Sequence, residues 1–170
     1  MVTRRGILLG TAAAAAVAAS GNGVLRRRGD RAQAAAGGHF EITKTPEEWR
    51  KILTPEQYAV LREEDTERAF TSPLNHEKRK GVFACAGCDL PLFVSRTEFD
   101  SGTGWPSFYA PIEGAIGTGE DHALGILREE VHCRRCGGHL GHVFDDGPKP
   151  TGLRYCINGL ALKFRPGLER

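Results

Sequence analysis

Two CxxC pairs constrain this chain more than any other feature of it. Cys85-Ala86-Gly87-Cys88 and Cys133-Arg134-Arg135-Cys136 stand 44 residues apart. Each follows a β-type run, "VFAC" or "EVHC", and each has glycine within it or just after it. Such a knuckle turns the chain tightly, so both sulfurs face one point. Two knuckles supply the four thiolates of a closed, tetrahedral structural zinc site. The gap exceeds that of a simple finger. One zinc ion would therefore clamp two hairpins remote in sequence, and its binding would stabilise the sheet directly. The same cysteines are compatible with disulfides, with a redox dithiol in one CxxC, or with a four-cysteine iron–sulfur cluster.

The sequence around the knuckles is of β type. From Gly81 onward, glycine, proline and other turn residues recur every few positions. Between them lie "GVFAC", "PLFVS", "VHC", "HVF" and "ALKF", which read as short strands of an antiparallel domain with long loops. Two short helices precede it. Thr45-Pro46-Glu47-Glu48 and Thr54-Pro55-Glu56-Gln57 each carry an N-cap, a proline at the first helical position and an acid or amide at the third. They predict helices over 46–52 and 55–62, packed on the core; a partner-binding arm is the alternative. "REEDTERAF" reads as a solvated helix end or loop. The fold class is mainly β, with a helical preface and no linker between the two.

Residues 1–36 read as an export signal with its flanking segment, and residues 37–170 as one domain. Arg4 and Arg5 precede an apolar, alanine-rich run from Ile7 to Ala19. That run is too short to cross a bilayer as a helix. With Ile7, Leu8 and Leu9 behind it, the arginine pair looks like a twin-arginine signal, which would make the twin-arginine translocase a partner during export. An N-terminal anchor or a basic tail is the other reading. The twin-arginine route moves folded proteins, so a zinc site could form before export. Without residues 1–36 the chain keeps 17 of 23 basic residues and 20 of 21 acidic ones, a formal charge of −3. Nothing there recommends nucleic acid as a partner.

The fifth cysteine, Cys156, stands alone in "LRYCINGLALKF". A buried cysteine often serves as a small apolar residue. Arg154 and Asn158, two positions to either side, would share its face on a strand. A cation beside a thiol favours the thiolate, which is the nucleophile. "GGHLGHVFDDGP" adds His139 and His142, suited to acid–base chemistry, to metal binding or to a satisfied core position, with Asp145 and Asp146 behind them. Trp105, in "SGTGWPSF", is either core or the aromatic wall of an apolar ligand site.

Together, "GWPSF", "CRRCGGHLGHVFDDGP" and "RYCIN" resemble the peptide-methionine (R)-S-oxide reductases of the B type, from about Thr45 to Phe164. The resemblance implies two antiparallel sheets, a β-tent, with zinc on Cys85, Cys88, Cys133 and Cys136 away from the active site. It implies that Cys156 attacks the sulfoxide sulfur and becomes a sulfenic acid. It implies that His139 and His142 bind and protonate the sulfoxide oxygen, that Arg154 favours the thiolate, and that Asp146 and Asn158 support them. Trp105, helped by Phe108, would pack on the substrate's terminal methyl. Oxidised proteins and peptides are the implied substrates, and a monomer is expected. Two departures stand out. Many relatives carry a resolving cysteine in the loop before the tryptophan, where this chain has Thr103; the implied reductant is then an external thiol, thioredoxin-like or small. "NGLAL" replaces small hydroxyl residues with Gly159 and Ala161. The competing functions are a non-catalytic zinc β-module and a CxxC thiol–disulfide oxidoreductase.

Overall fold

Threonine starts both helices. Thr45 Oγ1 accepts from the Glu48 amide at 3.2 Å, and the Glu48 carboxylate accepts from the Thr45 amide at 2.8 Å. Thr54 and Gln57 repeat the exchange at 3.2 Å both ways. Each such cap is worth about 1 kcal/mol. They fix α1 (Pro46–Ile52) and α2 (Pro55–Glu63), in agreement with the boundaries read from sequence to within one residue. This computed structural model describes residues 40–123, 125 and 127–167; the export signal read at 1–36 lies outside them. Among the described residues, no helix is long and apolar enough to cross a membrane.

Among the described residues nine strands follow: β1 (Gly81–Cys85), β2 (Pro91–Val94), β3 (Glu98–Phe99), β4 (Ser107–Phe108), β5 (Ile116–Asp121), β6 (Arg128–Cys133), β7 (His139–Phe144), β8 (Arg154–Ile157) and β9 (Leu162–Pro166). They form two antiparallel sheets, one ordered β2-β1-β9 and the other β3-β4-β8-β7-β6-β5. The mainly β class, the two sheets and the helical preface all stand as expected.

The core lies between the sheets. β1 is buried along its whole length. Phe83, Phe93 and Phe108 have no exposed surface; Phe93 stacks on Phe108 at 4.3 Å and Phe83 meets Phe108 edge-on at 4.9 Å. Burying such a ring contributes about 1.5–3 kcal/mol. The helices add Trp49, Val60 and Leu61, and α2 packs on β7 and on the turn Gly159–Ala161. That turn leads from β8 into β9 and so ties the two sheets together.

The segment expected to be solvated behaves otherwise. Glu67 is buried, and its carboxylate accepts from the amides of Gly159 and Leu160. Its own amide donates to Asn158 Oδ1 at 3.0 Å, and its carbonyl accepts from the Trp105 indole N–H at 3.0 Å. Residues 66–70 are thus a strap across the sheet junction. Gly159 is required beneath it: a Cβ there would lie 1.9 Å from Ser72 Oγ.

Candidate active site

The four paired cysteines converge. Cys85 ends β1 and Cys133 ends β6, so each knuckle is a turn leaving a strand. Their four sulfurs lie within 4.8 Å of one another, with Cys85 and Cys136 at 3.8 Å and Cys88 and Cys133 at 3.5 Å. None of the described cysteines is in a disulfide. A tetrahedron of zinc–sulfur bonds of about 2.3 Å has sulfur–sulfur edges of about 3.8 Å, so the cluster fits that ion. The hydrogen bonds among the crowded sulfurs push Cys85 and Cys136 up and Cys88 and Cys133 down. A cation holding all four as thiolates relieves that conflict. The convergence of both pairs also counts against a free CxxC redox dithiol.

Cys156 sits elsewhere, on a central strand of the six-stranded sheet. In register it faces His142 on β7 and Ser107 on β4. Directly opposed residues share a face. Arg154 and Phe144 form the next pair on that face, and the guanidinium lies over the ring at 4.3 Å. A cavity of about 120 Å³ opens there, lined by Thr66, Trp105, Arg128, Gly141, His142, Phe144, Cys156 and Asn158. It has an aromatic wall, a thiol and an imidazole. No cysteine of the cluster lines it.

Phe108 requires a correction. It pairs with Tyr155, one residue off Cys156, and therefore points to the opposite face, into the core. The second aromatic wall is Phe144, two residues beyond His142 on the same strand. His139 has its ring 5.4 Å from that of His142 but does not line the cavity. Its Nδ1 is 2.8 Å from a Glu130 oxygen, and its Nε2 is buried without a partner. Burial alone would raise Glu130, but hydrogen bonds from His132 and His139 outweigh it and hold the carboxyl at about 2.

Asn158 lies just past β8. It bridges Glu67 and the Leu140 carbonyl, which its Nδ2 reaches at 3.1 Å. Asp146 grips Arg154 with two bonds of 2.7 and 2.8 Å. Arg154 favours the Cys156 thiolate, as expected, but burial outweighs it. Burial raises the Cys156 thiol above its ordinary value; the Thr103 hydroxyl, 3.8 Å away, and Arg154 only oppose it. Thr103 leads into a hydroxyl chain, with Ser101 Oγ at 2.8 Å and Ser107 Oγ at 2.7 Å from Ser101. Gly159 and Ala161 of "NGLAL" are buried and do not line the cavity.

Asp121 was not read from sequence. It lies on β5, whose "IGTGED" has neither apolar alternation nor a turn signal. His142 Nε2 is 2.8 Å from its carboxylate, which also accepts from Arg128. Burial lowers His142, Asp121 raises it, and the charges of Arg128 and His139 lower it further. With Cys156 raised and His142 lowered, the resting pair at neutral pH is thiol and neutral imidazole. The pH profile of kcat/KM should be a plateau between those two values, since that ratio reports the free protein. Asp121→Asn removes a contact that raises His142, so the acid limb should move to lower pH while the alkaline limb stays. An acid limb unmoved by D121N would separate it from His142.

Comparison with known proteins bears directly on this site. The family model described as the SelR domain matches residues 53–166. A peptide methionine sulfoxide reductase MsrB of Pseudomonas putida is 60% identical over 127 residues, 74% of this chain and 96% of that protein. One from Leptospira interrogans is 52% identical over 128 residues, 75% of this chain and 98% of that protein. One from Methanosarcina barkeri is 55% identical over 125 residues, 73% of this chain and 88% of that protein.

Proposed function

Because the chain belongs to the SelR family of methionine sulfoxide reductases, we propose that it reduces the R epimer of methionine sulfoxide in oxidised proteins and peptides, with Cys156 as nucleophile. It is an enzyme, an oxidoreductase acting on sulfur. One observation carries the assignment of residues: Cys156, His142 and Trp105 line one cavity. A non-catalytic zinc module on the same scaffold has no use for that convergence.

The sulfoxide methyl packs on the indole of Trp105, with Phe144 completing the apolar wall. Its oxygen faces the imidazole side. The Cys156 sulfur attacks the sulfoxide sulfur and gives it two electrons. The thiol proton passes by way of His142 to the sulfoxide oxygen. Methionine leaves as the thioether, and the oxygen remains on Cys156 as a sulfenic acid. No outside proton is consumed, which matches a resting pair of thiol and neutral imidazole. An external thiol then attacks Cys156, water leaves, and a second thiol releases the cysteine as a disulfide forms between the two reductants. The reductant is external because Thr103 stands beside the nucleophile and the other four cysteines are gathered in their own cluster.

That cluster holds one zinc ion, which would join β1 and β6 and support the sheets. The buried Glu130 keeps the His139 ring in place beside His142. The protein acts as a monomer outside the cytoplasm, exported in folded form by the twin-arginine translocase under the direction of residues 1–36; the arginine pair and the apolar run support this reading. The chemical test is a single turnover without reductant. One equivalent of an R-sulfoxide peptide should yield one methionine and one oxygen atom on Cys156, read by mass spectrometry after trapping with a sulfenic-acid reagent. Methionine formed with no oxygen on Cys156 would refute the sulfenic route.

A further inference from the structure

Phe70 combines two unfavourable features. It is 72% exposed, and its φ of 66° is left-handed. A bulky residue in that conformation is strained, and strain of this kind gathers at functional sites. Nothing in the core requires the ring. The surroundings nevertheless fix it in place. The Phe70 amide donates to the Gly104 carbonyl at 2.7 Å, and Asn75 Nδ2 donates to the same oxygen at 2.9 Å. The ring lies directly over Gly104, where a Cβ would come within 2.8 Å of it. Gly104 adjoins Trp105, whose indole is held by Glu67 of the same strap. The strap therefore runs from Thr66 in the cavity wall to Phe70, whose ring covers the glycine next to Trp105.

The cavity is small. Its volume is about 120 Å³. It admits the end of one side chain, so the rest of a polypeptide substrate must lie across the rim. We propose that Phe70 is a docking residue for the polypeptide: its exposed ring packs on an apolar side chain next to the oxidised methionine and so favours sulfoxides with an apolar neighbour. This rests on the reductase reading above and adds to it a residue that discriminates between neighbours of the sulfoxide.

The test compares three R-sulfoxide substrates with dithiothreitol as reductant: a peptide with leucine beside the sulfoxide, the same peptide with serine there, and N-acetylmethionine sulfoxide. Phe70→Asn is the informative variant, because asparagine tolerates the left-handed conformation. It should raise KM about tenfold for the leucine peptide, leave kcat unchanged and leave the other two substrates unaffected; Phe70→Tyr should behave as the wild type. An equal loss on all three substrates would make Phe70 a support of the Trp105 loop and overturn the proposal, as would no loss on any. A defect seen only with a thioredoxin as reductant would overturn it in favour of reductant docking. Wild-type protein inactive on all three substrates would refute the reductase reading, and this proposal with it.

Discussion

Cys156→Ser should abolish turnover, by roughly 10⁴-fold or more in kcat, as losses of a nucleophile typically do. The serine hydroxyl is a far poorer nucleophile than the thiol, and its oxygen cannot accept the sulfoxide oxygen and later give it up to a thiol. The substitution is nearly isosteric on a strand whose pairing with β4 and β7 is made by the backbone. The melting temperature and metal content of C156S should therefore equal those of the wild type. Residual activity within tenfold of wild type would show that another group carries the chemistry.

The second large effect is structural. Cys133→Ala removes one sulfur from a fully buried position at the end of β6. Structural zinc contributes apparent binding free energies of about 10–16 kcal/mol in small domains. Whole domains are stable by about 5–15 kcal/mol. C133A should lose its metal and with it the cooperative unfolding transition, and the wild type should do the same when a strong chelator is combined with mild denaturant. The measurement is bound zinc together with the thermal transition. A metal-free C133A protein with an unchanged transition would show that the two sheets need no clamp.

The two effects separate because the cluster and the cavity are different places on one scaffold, and both were legible for the same reason. Each CxxC brings its two sulfurs together through local turn chemistry. Cys156 could be read from its strand neighbours, since alternation fixes which residues share its face. The helix starts were legible because capping boxes are local. What the sequence hid was non-local. Asp121 reaches His142 only because β5, β6 and β7 are adjacent in the sheet. Glu67 looked solvated because its partners, the amides of Gly159 and Leu160, lie more than ninety residues away. The resemblance implies that Phe108 helps to wall the cavity, but it is Ser107 that pairs with Cys156, and a one-residue step on a strand reverses the face. The raised Cys156 thiol follows from burial, which no neighbouring residue in the sequence reports.

The most direct test of the central claim is a stereospecific assay. Protein comprising residues 37–170 would be given the R and S epimers of a methionine sulfoxide peptide separately, with dithiothreitol as the only reductant. In the proposed pose the methyl packs on Trp105, the oxygen turns toward His142 and the sulfur meets Cys156, which would leave one handedness at the reacting centre. Turnover of the R epimer alone, absent in C156S, is the result this site requires. Turnover of both epimers at similar rates, or of neither by zinc-loaded folded protein, would contradict it.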